Sequence, residues 1–112
     1  MSAITSHVLD TSLGQPAAGL EVTLASLDGQ VLRELGRGET DAEGRIKDLL
    51  GRGELLPGTY RLSFEAGAYF RIDGRSSFYD RIDIQFVVTD AKRHHHVPLL
   101  LSPFGYSTYR GT

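Results

Sequence analysis

Apolar residues along the chain fall in short alternating runs separated by clusters of Gly, Asp and Pro, the spacing of an all-β sandwich or barrel. Leu20, Val22 and Leu24 alternate with Glu21, Thr23 and Ala25, which predicts a half-buried strand with one apolar face. Asp28-Gly29 follows at once and suits a tight turn with positive φ at both central positions, folding the chain back onto Gln30 to Leu35. Pro57-Gly58 marks another turn, after which Tyr60, Leu62 and Phe64 repeat at period two. Ile82, Ile84, Phe86 and Val88 do the same later, and both runs read as core strands. Between them Glu65 to Phe70 predicts one short helix, because Ala66, Ala68 and bulky residues without β-branching favour it, while Gly67 weakens it and Gly74 limits it.

The last strand is expected over Arg93 to Leu101, with Val97, Leu99 and Leu101 on one face and His94, His96, Pro98 and Leu100 on the other. Its proline predicts an edge position or a local break in pairing. Ala3 to Leu9 forms a further run, separated from Leu20 by the turn-rich Asp10 to Gly19 with Gly14-Gln15-Pro16 at its centre. Arg37 to Glu54 is polar and glycine-rich around Ile46, Leu49 and Leu50, which predicts a loop with a short strand near Arg45 to Leu49. The total of about seven or eight strands suffices for two packed sheets. At 112 residues the chain is read as a single domain over positions 1–112. A domain of this size buries only roughly 65 % of its unfolded surface, so association with further copies would help its stability.

Composition narrows the function. Hydrophobic residues at 40 % and charged residues at 23 % match a globular chain rather than a disordered one. A formal charge of -2 draws the chain to neither nucleic acid nor anionic membrane, so neither is expected as a partner. The absence of cysteine removes disulfides, a thiolate nucleophile and a Cys-type zinc site. Met1 to His7 lack the basic start and apolar run of a signal peptide, and no stretch approaches the ~20 apolar residues of a membrane span, so a cytoplasmic location is expected.

Candidate chemistry concentrates on histidine. Of the four histidines, three are consecutive, His94-His95-His96, and the fourth is His7. Side chains at i and i+2 of a strand share a face, so His94 and His96 converge while His95 looks away. With His7 they would supply three nitrogen ligands and an open fourth position, as in a catalytic zinc site; the alternative is a solvated stretch at the entry to an edge strand. His7 shares a face with Thr5 and Leu9, away from Val8. Arg45 follows the turn Asp41-Ala42-Glu43-Gly44, where an ion pair with Asp41 or Glu43 is the expectation and an anionic ligand the alternative. The closing Tyr106 to Thr112 combines tyrosines, hydroxyls, an arginine and the α-carboxylate without an apolar residue, and reads either as a frayed tail or as part of a site. No phosphate loop, nucleophile elbow, zinc-protease helix or dinucleotide fingerprint occurs.

Three motifs, His7-Val8-Leu9-Asp10, Thr40-Asp41-Ala42-Glu43-Gly44-Arg45 and the run from His94 through Pro98 and Ser102-Pro103-Phe104-Gly105-Tyr106 to Tyr109-Arg110-Gly111, resemble the transthyretin-like family, nearest to its members that hydrolyse 5-hydroxyisourate. Gly14-Gln15-Pro16-Ala17 and Leu56-Pro57-Gly58-Thr59-Tyr60 stand in the family's order, so the resemblance runs nearly end to end. It implies a prealbumin-like sandwich of two four-stranded sheets with one short helix, assembled as a homotetramer, a dimer of dimers whose central channel holds the active sites. It implies hydrolysis of 5-hydroxyisourate to 2-oxo-4-hydroxy-4-carboxy-5-ureidoimidazoline in urate catabolism; no cofactor and no metal are expected, because no acidic ligand and no partner residue to support one is identifiable in the sequence. The family's catalytic histidines fall on His7 and His96, its arginine on Arg45 and its closing serine on Thr112; substrate contacts extend to His94, Tyr109 and Arg110.

Two positions depart from the family pattern. His95 replaces the usual tyrosine, and facing away from the site it should matter little. Thr112 replaces serine, keeping the hydroxyl but adding a methyl with restricted χ1. The hormone-carrying relative lacks the histidines and the arginine, which favours the enzyme over a carrier without turnover. A zinc hydrolase using His7, His94 and His96 is the other alternative. For the enzyme, one of His7 and His96, with His7 preferred, is expected as general base on water while the other orients that water or protonates the leaving nitrogen, Arg45 stabilises the oxyanion and Thr112 positions substrate or water.

Overall fold

In the computed structural model, which describes residues 3–51 and 53–112, the alternating runs become two sheets that bury their apolar faces against each other. Met1 and Ser2 of the amino-terminal stretch and Arg52 of the polar segment lie outside the described residues. The elements in chain order are β1 (Ile4–Asp10), β2 (Gln15–Pro16), β3 (Glu21–Asp28), β4 (Val31–Glu39), β5 (Arg45–Ile46), β6 (Gly58–Phe64), α1 (Ala66–Ile72), β7 (Ile82–Val88), β8 (His95–Ser102) and β9 (Gly105–Thr108). One sheet runs β2-β1-β8-β9, with β5 also pairing β1; the other runs β4-β3-β6-β7. This is the expected prealbumin-like sandwich with one short helix, except that the two-residue β5 makes the first sheet five-stranded.

Period-two patterning decides what enters the core. Val8, Leu99 and Leu101 from one sheet meet Val22, Leu24, Leu62 and Phe64 from the other, all fully buried. Each such side chain contributes about 1.5–3 kcal/mol by leaving water. The helix packs Ala66 and Phe70 onto this core and is tied to the end of β1 through Asp10. That carboxylate is fully buried, accepts hydrogen bonds from Tyr69 at 2.8 Å, Ser12 at 2.6 Å and Arg75 at 2.9 Å, and so closes a network between strand and helix. Burial alone would raise its pKa, but the bonds from Arg75, Ser12 and Tyr69 hold it below the usual carboxylate range.

Three expectations need correction. The hairpin pairs Asp28 with Val31, so the central residues are Gly29 and Gln30 and only Gly29 has positive φ, at 63°; glycine in first place is the type II′ solution, which spares Asp28 a left-handed conformation. The returning strand extends to Glu39, because Gly36 leaves room for the Leu49 carbonyl, against which a Cβ would collide. Finally, β8 is not an edge strand: it lies between β1, parallel to it, and β9. The local break does occur. Leu99 pairs with Thr108 and His96 bridges to Gly111, but the ladder skips Pro98, whose carbonyl accepts from the Thr108 hydroxyl at 2.7 Å while its nitrogen has nothing to donate. The outer strands are β2 and β9 in this sheet and β4 and β7 in the other, and on β7 Ile84 and Phe86 are only half-buried.

Candidate active site

Strand register assembles the site from three stretches far apart in sequence. The parallel pairing of β1 with β8 sets Thr5 opposite His96, and the antiparallel pairing of β1 with β5 sets His7 opposite Arg45. Thr5 and His7 share the outward face of β1 because Ser6 turns inward, where its buried hydroxyl donates to the Val97 carbonyl at 2.6 Å.

Arg45 is presented by a turn whose chemistry is local. The Asp41 carboxylate accepts the backbone N–H groups of Glu43 at 2.9 Å and Arg45 at 3.0 Å, an Asx turn. The Arg45 N–H, over the opposing effect of desolvation, holds Asp41 below the usual carboxylate range, with Glu43 N–H, Lys47 and Arg45 assisting. Gly44 adopts φ 77°, and a Cβ there would strike the Val8 carbonyl, so only glycine lets the turn dock on β1, where Val8 N–H donates to the Gly44 carbonyl at 2.8 Å. The expected ion pair of Arg45 with Asp41 or Glu43 is therefore absent among the described residues: Asp41 is spent on backbone donors, and the guanidinium stays exposed and available to a ligand.

His94 and His96 converge as the strand geometry requires, with rings stacked at 6.1 Å and 25°. Both meet Thr5, whose Oγ1 lies 2.8 Å from His94 Nε2 and 2.8 Å from His96 Nδ1. His96 is held from a third side by Gly111, where a Cβ would come within 2.6 Å of its Cδ2. Burial lowers the His96 pKa below 6.5, and the charges of His94, His7 and Arg45 act the same way, so the ring is neutral near neutral pH. His7 donates from Nε2 to the Glu43 carbonyl at 2.9 Å, which leaves Nδ1 as its basic nitrogen in the neutral form.

Thr5, Ser6, Arg45, Lys47, His94 and His96 line a concavity of about 290 Å³ without a carboxylate. His7 is not among these lining residues but stands near enough for its charge to act on His96. Imidazoles beside two fixed cations suit an oxygen-rich or anionic heterocycle, with proton transfer and charge stabilisation available together. Tyr109 and Arg110 line a different concavity with Ile84, Phe86 and Val97, which touches the first through His96. Thr112 is exposed, next to the Gly111 that donates its N–H to the His96 carbonyl at 2.8 Å. His95 points the other way and is buried, its Nδ1 without a hydrogen-bond partner among the described residues; burial lowers its pKa, and Arg110 adds to this.

Among the described residues no three His, Asp or Glu side chains gather as a metal site would need. Thr5, Lys47 and Gly111 are the components that sequence reasoning passed over. Lys47 was accessible from alternation, since it follows the short β5 two positions after Arg45, across the inward Ile46. Thr5 required the parallel register with β8, which no local pattern reveals.

The description "HIUase/Transthyretin family" matches residues 4–111 of the chain. The 5-hydroxyisourate hydrolase 2 of Rhizobium meliloti is 45 % identical over 114 residues, covering 97 % of this chain and 95 % of that protein. The structure of Klebsiella pneumoniae 5-hydroxyisourate hydrolase superposes with a TM-score of 0.85 at 40 % identity, covering 97 % of this chain and 98 % of that one. Sea bream transthyretin in complex with thyroxine gives a TM-score of 0.92 at 27 % identity over 99 % and 96 % of the two chains. Backbone shape is thus shared with the hydrolase and with the thyroxine-bound transthyretin and does not separate them.

Proposed function

The chain belongs to the HIUase/Transthyretin family, and from that premise we propose that the face shared by His7, Arg45 and His96 opens the ring of 5-hydroxyisourate without a cofactor. The activity is hydrolysis of 5-hydroxyisourate, a small-molecule step of urate catabolism. The observation that carries the site is the convergence of His94 and His96 on Thr5 beside Arg45, on the side of the sheet where His7 also projects. In this reading His7, oriented by the Glu43 carbonyl, takes a proton from water at Nδ1. His96 protonates the departing ring nitrogen through Nε2. Arg45, assisted by Lys47, holds the oxygen on which negative charge develops, a fixed cation being worth most where water is sparse. His94, Tyr109, Arg110 and Thr112 bind and position the substrate.

The same reading makes the protein a homotetramer, a dimer of dimers, located in the cytoplasm. Phe104, Leu13 and Tyr109 are exposed and the outer strands β7 and β9 have unpaired edges, the surfaces that further copies would cover. No helix among the described residues is long and apolar enough to cross a membrane. Steady-state kinetics on His7→Ala and His96→Ala test the assignment: each should lower kcat roughly 10²–10⁴-fold. Unchanged rates in both would place the chemistry elsewhere.

A further inference from the structure

A neutral imidazole is a poor acid. If His96 gives its Nε2 proton to a leaving nitrogen and gains nothing at Nδ1, an imidazolate remains, which is inaccessible near neutral pH. Its Nδ1 must be refilled as Nε2 empties, and the only group bonded to Nδ1 among the described residues is the hydroxyl of Thr5. That hydroxyl carries one hydrogen and touches two ring nitrogens, at 2.8 Å each. It can donate to one imidazole while accepting from the other, and in that arrangement the two neutral rings take the same tautomer, both protonated at Nε2 or both at Nδ1.

Resting on the active-site assignment above, we propose that Thr5 is a positioning residue whose hydroxyl couples His94 to His96, so that a proton leaving His96 Nε2 is replaced at Nδ1 from His94. In the loaded arrangement His94 Nε2–H donates to Oγ1, Oγ1–H donates to His96 Nδ1, and His96 Nε2 carries the proton to be given. As the Nε2–H bond breaks and the bond to the leaving nitrogen forms, the hydroxyl proton passes to His96 Nδ1 and the His94 Nε2 proton passes to Oγ1. In the same step His94 Nδ1 takes a proton from solvent, which its exposure permits, so neither ring passes through an imidazolate. One proton enters at His94, one leaves at His96, and the hydroxyl now donates to His94 Nε2. The reverse exchange with solvent resets the pair. Geometry suits the transfer: Thr5 is almost wholly buried, 6 % exposed, so water does not compete for the hydroxyl, and Gly111 and the stacked His94 ring hold His96 in place. Burial disfavours a positive charge on His96 itself.

Thr5→Val removes the hydroxyl and keeps the shape; Thr5→Ser keeps the hydroxyl. The assay is kcat and KM for 5-hydroxyisourate across pH, with histidine ring ¹⁵N spectra of the free protein from pH 5 to 8. Thr5→Val should lower kcat roughly 10–100-fold, less than the ~10²–10⁴-fold of a lost acid–base group, with KM changed by less than about threefold. Thr5→Ser should recover kcat to within about threefold. In the spectra His94 and His96 should change tautomer together in the unmodified protein and in Thr5→Ser, and separately in Thr5→Val. Full kcat in Thr5→Val, a Thr5→Ser variant as slow as Thr5→Val, or independent titration of the two rings in the unmodified protein would each overturn the relay. The spectra need no turnover, so a protein inactive on 5-hydroxyisourate but with coupled rings would refute the assigned reaction and leave the coupling standing.

Discussion

Gly44 joins the fold to the chemistry, and substituting it gives a prediction that can be worked from two separate terms. Its φ of 77° costs an alanine about 1–2 kcal/mol. The added Cβ would also press on the Val8 carbonyl, which already accepts the Ala17 N–H at 2.9 Å, so the turn must retreat and give up the 2.8 Å bond from Val8 N–H to Gly44. Losing that bond adds about 1 kcal/mol. Gly44→Ala should therefore destabilise by about 2–3 kcal/mol. Gly29 is the internal control: its φ of 63° is similar, but nothing lies within 4 Å of a Cβ there, so Gly29→Ala should lose only the first term. Urea unfolding of the three proteins at one protein concentration reads both numbers, the fixed concentration removing the effect of assembly. The functional consequence separates them further. Retreat of the turn moves Arg45, and misplacement by about 1 Å can lower a rate roughly 10²-fold. Gly44→Ala should lose activity and Gly29→Ala should keep it. Equal stability losses in the two variants, or full activity in Gly44→Ala, would refute the claim that this turn's tight docking sets the guanidinium.

Asp10→Ala should destabilise the protein by about 3 kcal/mol in the same unfolding assay, since it removes a fully buried carboxylate and leaves Arg75 and the Tyr69 hydroxyl without their shared partner; a loss below about 1 kcal/mol would contradict the network's role in tying helix to strand. The buried His95 has a folded-state pKa below 6.5, so the unfolded chain binds the proton more readily and stability falls as pH drops from about 6.5 toward that lower value. Thermal midpoints at pH 7.5 and 5.5 should differ less in His95→Phe than in the unmodified protein, and an identical difference would assign the dependence to other groups. Asp10 and Asp83 do not confound that window, because both are held below the usual carboxylate range and lose their contribution only under more acidic conditions.

What was legible in the sequence follows from the range of each cause. Strands with one buried face announce themselves, since Leu20, Val22 and Leu24 or Tyr60, Leu62 and Phe64 must alternate to be buried together. The helix was visible for the same local reason, offset by only a residue or two. Pro98 was harder: a missing donor says that one ladder bond is absent, but not whether a neighbouring strand continues on either side, and here β9 does. The pair His94 and His96 was readable from alternation, whereas its link to Thr5 depends on a parallel pairing across roughly ninety residues, as the separations of 89 and 91 show. The free guanidinium of Arg45 was misjudged because a nearby carboxylate pairs with it in sequence but is claimed by backbone donors in space.

The central claim is tested most directly by following the ultraviolet decay of 5-hydroxyisourate, generated in place by urate oxidase, with and without this protein after treatment with a chelator, and beside the His96→Ala variant. Acceleration that survives chelation and disappears in His96→Ala is the predicted result. Decay unaffected by the folded protein would contradict the account and favour a carrier, and acceleration lost on chelation and restored by zinc would contradict the cofactor-free mechanism.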